Sequence, residues 1–196
     1  MKGSFAALNN IFRVLALFAI LFVLATGCLG FALRQFDIRD VHDAAGQRWA
    51  TIHRLSGVAA ALAVVLVNSI VVTYFVGTSR WCKEVAETYG LDAQIVRRSN
   101  AIKRRTFPLC VANMLIAVGI VALGGAGDPA GTFRGTPPPG LTWTNVHFMV
   151  AAAGLCFFGW ASLAQYNNIA AHHAVITDVM DEVKRIRTER GLDAGE

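Results

Sequence analysis

The chain has 196 residues, 55% of them hydrophobic and only 16% charged, with a formal net charge of +5 at pH 7. Together with a mean hydropathy of +0.48, that balance excludes an ordinary soluble domain and points to an integral membrane protein in contact with the lipid bilayer. The positive charge fits membrane topology and anionic lipid better than nucleic acid, so no nucleic-acid partner is expected.

A helix needs roughly 20 apolar residues to cross a hydrocarbon layer of about 30 Å. Runs of that kind occupy residues 11–33, 58–76, 107–126 and 148–164. The expected fold is therefore all-α: an integral membrane four-helix up-and-down bundle with cytoplasmic amphipathic helices. Residues 1–174 form the four-span bundle, including a cytoplasmic loop over 78–106, and residues 175–196 form a cytoplasmic extension of helix 4 and a tail.

Lys2 and Arg13 precede the first run, and Gly27, Gly30 and Arg34 mark its far end. The stretch "LATGC", ending at Cys28, has the outline of a lipoprotein cleavage box. Ala25 stands where such a box wants a large aliphatic residue, and the run is long enough to span, so a retained helix is the expectation. The next segment, "RQFDIRDVHDAAGQRWA", is a polar loop without strand periodicity. Its Asp37, Asp40, His42 and Asp43 are competent ligands for a divalent metal, set against the plainer reading of a solvated acidic loop.

The second helix starts at about residues 47–51 and runs to Gly77, with "TIHRLSG" (51–57) putting His53 and Arg54 at its mouth. Trp49 and Tyr74 are placed as interfacial aromatics, and Asn68 is the polar interior residue. Over 78–106, apolar residues recur at helical spacing among Arg80, Lys83, Arg97, Arg98, Lys103, Arg104 and Arg105. This pattern predicts two short helices split at "GLD" (90–92), where Gly90 ends one and Asp92 caps the next. Basic residues concentrate in this loop, at Lys2 and Arg13, and at Lys184, Arg185, Arg187 and Arg190. Both termini should therefore be cytoplasmic.

Pro108 suits the first turn of the third helix. Asn113 lies at a depth similar to that of Asn68, which predicts an interhelical hydrogen bond. The helix ends in "LGGAGDPAG", and "RGTPPPG" follows as a rigid connection. The fourth helix starts near Thr144, with His147 of "TNVHFMV" at its mouth. It carries an apolar stripe, Val175, Ile176, Val179, Met180, Val183 and Ile186, onward among charged residues, and that stripe needs a cover. The 78–106 loop of the same chain is one candidate and a second subunit the other. His172 and His173 read with Gln165, Asn167 and Asn168 as a polar continuation at headgroup level, or as a second polar site. Four cysteines, Cys28, Cys82, Cys110 and Cys156, offer no evident disulfide pair.

In an up-and-down bundle the second and fourth helices are parallel and diagonal, so His53 and His147 can face each other across the axis. His53 lies five residues before its apolar run and His147 directly before its own, an offset of about 7 Å that helix tilt can absorb. Two imidazoles from facing helices are the axial ligands of a b-type heme. Gly27, Gly30 and Gly119, with Gly124, Gly125 and Gly154, would leave room for the macrocycle. Arg54, Arg34 and Arg134 would meet its propionates at the water boundary. The competing reading is that the glycines serve helix packing and the histidines are solvated at an interface.

"IHRLSGVAAALAVV" resembles the opening of the second helix in one four-helix half of heme A synthase, where a histidine–arginine pair begins one span and a second histidine begins the fourth. The resemblance implies a bis-histidine, b-type cytochrome-like bundle and carries over at His53, Arg54 and His147. Ala50 stands where such proteins place an acidic residue, which argues against catalytic oxygenation. "HRLSG" is also similar to the heme-bearing anchor subunits of succinate dehydrogenases, but their serine precedes the histidine and Ser56 follows it. The sequence holds no phosphate loop, nucleophile elbow, paired zinc motif or dinucleotide fingerprint. Two functions are thus expected to compete. One is electron transfer through heme b with a quinone or a partner redox protein. The other is a non-catalytic membrane subunit or assembly factor that docks a membrane protein partner, or a second copy, through the basic loop and the extended fourth helix.

Overall fold

The computed structural model describes residues 2–35, 44–128, 133 and 135–191, with side chains from residue 10 onward. The expectations resting on Asp37, Asp40, His42, Asp43 and Arg134 lie outside those residues. Four helices follow one another: α1 (Lys2–Gln35), α2 (Ala44–Tyr89), α3 (Ala93–Ala126) and α4 (Trp143–Glu189). Each is long and apolar enough to cross a membrane. α1 packs on α2 and α4, α3 packs on α2 and α4, and α2 reaches diagonally to α4, while α1 and α3 do not touch. One end of this up-and-down bundle carries His53 and His147, and the other carries the basic segment around residues 97–105.

The bundle has an apolar core but, unlike a water-soluble bundle, an apolar outer surface and several buried polar side chains as well. Leu21, Leu62, Leu115 and Leu163 are 60–67% exposed, whereas Asn68, Ser99, Gln165 and His172 are fully buried. Apolar side chains turned outward and small or hydrogen-bonded polar ones turned inward are what a helix bundle in hydrocarbon requires. The expected contact between Asn68 and Asn113 is present, with Asn113 Nδ2 donating to Asn68 Oδ1 at 3.1 Å. Gln165 Nε2 donates to the same oxygen at 2.8 Å, so one acceptor ties α2, α3 and α4 together.

The segments expected as separate amphipathic helices are instead direct continuations of α2 and α3. Gly90 turns the chain at φ 68°, a conformation that costs an L side chain. Asp92 then caps α3 by accepting from Gln94 N at 2.8 Å. Because α3 begins at Ala93, Pro108 sits inside the helix and not in its first turn. The boundary between 174 and 175 likewise falls within the unbroken α4.

The stripe of the α4 extension is covered by its own chain. Ile176 and Val179 form a small core with Cys82 of α2, and Val85, Leu91 and Ile95 pack against it together with Met180 and Val183 of α4. Arg98 of α3 and Asp178 of α4 pair across this region at 2.8 Å. The surface that would have required a second subunit is therefore filled by the α2 and α3 extensions.

Candidate functional site

His53 stands on α2 well inside the helix, because α2 begins at Ala44 and not near residue 47. His147 follows the α4 N-terminus by one turn, where Thr142 caps the helix by accepting from Asn145 N at 3.2 Å. The two rings meet across the bundle with centroids 6.3 Å apart and planes at 80°. The helical offset read from the sequence is thus absorbed, and the pair faces inward as the diagonal placement of α2 and α4 requires.

Each ring lies against a glycine of a neighbouring helix. A Cβ on Gly30 of α1 would stand 2.6 Å from His53 Cε1, and one on Gly124 of α3 would stand 3.2 Å from His147 Cε1. The glycines act here by removing a side chain that would collide with an imidazole, a closer role than general room. Gly27 is exposed, Gly119 is half-buried, and a Cβ on either would meet nothing within 4 Å. Neither glycine is brought to the rings. Gly154, also noted in the sequence, packs against Ile116 and Ile120.

His147 Nδ1 lies 3.0 Å from the Ile120 carbonyl. A carbonyl can only accept, so Nδ1 carries the proton and Nε2 keeps its lone pair. His53 Nδ1 is buried without a partner in good hydrogen-bond geometry, although the Thr26 backbone faces the ring as an acceptor. Among the described residues no hydrogen bond engages Nε2 of either ring. Nδ1 turned toward helix backbone and Nε2 left over is the arrangement in which a histidine serves as a ligand.

At the mouth of the site Arg54 Nη1 contacts Asp128 Oδ2 at 2.6 Å, and Nη2 reaches Thr51 Oγ1 at 3.1 Å. Arg34 is exposed and lies over the Phe148 ring, 5.6 Å from its centroid. Phe31 packs beside the same ring at 5.9 Å, so α1 and α4 are closed over the histidine level by aromatic contacts. Among the described residues no three His, Cys, Asp or Glu side chains converge. A tetrahedral metal site there would lack ligands, whereas a heme asks the protein for two.

A second polar cluster, only partly anticipated, lies toward the other end. His172 is fully buried inside the bundle. Its Nε2 lies 2.9 Å from Ser99 Oγ, which donates to Ser79 Oγ at 3.0 Å. Tyr74 and Phe75 stand edge-on to the imidazole at 5.7 and 5.1 Å, so the half-buried Tyr74 turns its ring toward His172. Ser79 and Ser99 lie in segments whose charge suggested solvent, and the one available signal was that His172 falls on the same helix face as Val175, Ile176 and Val179.

Comparisons with protein-family models, with curated proteins and with solved structures gave no match to this chain. The reading of the site therefore rests on its geometry.

Proposed function

We propose that this chain is an integral membrane b-type cytochrome that holds one heme b between His53 and His147. In this reading it exchanges electrons with a quinone or a partner redox protein. The observation that carries the proposal is the spacing of the rings. Two imidazoles bound to one metal through bonds of about 2 Å each place their ring centres about 6 Å apart, and these rings are 6.3 Å apart. Bound heme supplies one-electron redox chemistry, and the chain's residues set its position and surroundings.

His53 and His147 would each offer Nε2. The Ile120 carbonyl fixes the tautomer and orientation of His147, and Gly30 and Gly124 let the two rings seat against α1 and α3. Arg54 and Arg34 stand at the mouth as cations for carboxylates. Arg54 is shared with Asp128, so its fork is held in place before any carboxylate arrives. The resemblance to one half of heme A synthase points the same way at His53, Arg54 and His147. The packing of Ile176, Val179, Met180 and Val183 within the chain weighs less toward the alternative of a docking subunit than an open stripe would. In this reading the excess of Lys and Arg at the basic end favours the cytoplasmic side for that end and for both termini. A reporter enzyme fused to the C-terminus would read that orientation directly.

The test is optical. Protein purified from cells supplied with heme should show a reduced-minus-oxidised Soret difference, and His53→Ala or His147→Ala should abolish it while the chain still inserts. Colourless protein, or a spectrum indifferent to both substitutions, would overturn the proposal.

A further inference from the structure

At the basic end, α3 presents a ladder of exposed side chains that is cationic at one level and apolar at the next. Arg104, Phe107, Pro108 and Val111 follow at helical spacing on one face, with Lys103 beside them. Together with Val76 of α2 they line an open groove of about 580 Å³ between the two helices. Helical side chains lean toward the N-terminus of their helix. On α3 that direction leads away from the apolar run, so Lys103 and Arg104 reach outward while Phe107 and Val111 stay beside the hydrocarbon.

Among the described residues the cations of the protein divide into those held by a carboxylate and those without one. Arg54, Arg80, Lys83, Arg98 and Arg185 each have an acidic partner. Among the described residues Lys103 and Arg104 form no salt bridge with any. Lys103 instead adds positive potential beside the buried His172. A smaller groove of about 270 Å³ on the other flank of α3 holds Arg98 and Arg105, but Arg98 is already held by Asp178. Two unpaired cations one turn above an exposed apolar slot match a ligand with an anionic head and a hydrocarbon chain.

We infer that the α2–α3 groove at the basic end is a binding site for an anionic phospholipid, whose phosphate sits between Lys103 and Arg104 and whose acyl chain lies along Val76, Phe107 and Val111. Pro108 adds to the site, because it has no N–H to give the Arg104 carbonyl and leaves a helix acceptor at the same turn for a headgroup hydroxyl. The inference rests on the chain lying in a bilayer and is independent of heme.

The experiment is native mass spectrometry of the full-length, delipidated protein titrated with phosphatidylglycerol or phosphatidylcholine. Phosphatidylglycerol should be retained at least tenfold better, and Lys103→Gln with Arg104→Gln should reduce it to the phosphatidylcholine level. Arg80→Gln with Lys83→Gln removes the same charge from cations that have acidic partners and should leave the preference intact. Equal retention of the two lipids, survival of the preference in the first double variant, or its equal loss in the second would overturn the site. Displacement by millimolar inorganic phosphate would also overturn it, by making the ligand a free anion. Failure to retain either lipid would count against the bilayer placement itself, a result separate from a mere lack of headgroup preference.

Discussion

At the scale of single residues, the histidine site depends on two missing side chains as much as on two imidazoles. Gly30→Ala would put a Cβ 2.6 Å from His53 Cε1, a distance the ring can relieve only by swinging away. Gly124→Ala would meet His147 at 3.2 Å, a conflict of a few tenths of an ångström. Heme occupancy should therefore fall most in Gly30→Ala and less in Gly124→Ala. It should be unchanged in Gly27→Ala and Gly119→Ala, whose new methyl groups would meet nothing within 4 Å. Absorbance at the Soret band per chain gives the ranking, and equal losses at all four positions would reduce the glycines to general packing. The amide cluster makes a separate claim. Asn68→Ala strips the acceptor shared by Asn113 and Gln165, and interhelical bonds of this kind are worth about 0.6 kcal/mol each on average in membrane proteins. A lower Tm in detergent, with the heme spectrum retained, is the expected result.

At the scale of elements, the basic end is where sequence and structure part. The four apolar runs, the diagonal meeting of His53 with His147 and the Asn68–Asn113 bond were legible, because hydropathy fixes spans and alternating direction fixes which ends share a side. The extensions were not. An apolar-run reading stops at the first cluster of charges, so residues 78–89 and 93–106 looked like a loop with short helices, and Pro108 looked like a start. Helix continuation depends on whether a partner covers the far side, and here three extensions cover one another. The burial of His172 was hidden for the same reason, since it follows from Ser79 and Ser99 arriving on the continued α2 and α3. Truncation after Ala174 would remove Val175, Ile176 and Val179, all at most 4% exposed. Burial of such side chains is worth roughly 1.5–3 kcal/mol each where water is the alternative. The truncated chain should therefore unfold at a clearly lower temperature by itself. An unchanged Tm would show that the extension is not part of the chain's own core.

At the scale of the whole molecule, the bundle divides its labour along its length. The middle is held by buried amides, the basic end by a small apolar core under charged helices, and the histidine end by the Arg54–Asp128 ion pair and the Phe31–Phe148 contact around two facing rings. A pair of facing imidazoles in which, among the described residues, only His147 Nδ1 makes a hydrogen bond, to the Ile120 carbonyl, is a poor stability device, since burying them costs solvation that few hydrogen bonds return. Under the proposed function, their placement would be preorganisation for an iron between them. His53 and His147 stand at 80° to one another; if they held a ferric heme at that angle, its g-values would be widely spread, which makes the proposal specific. The most direct measurement is low-temperature electron paramagnetic resonance of the oxidised protein purified with heme. The account predicts a low-spin ferric signal with an unusually large maximum g-value, lost in His53→Ala and in His147→Ala. A high-spin signal, or a low-spin signal that survives either substitution, would contradict it.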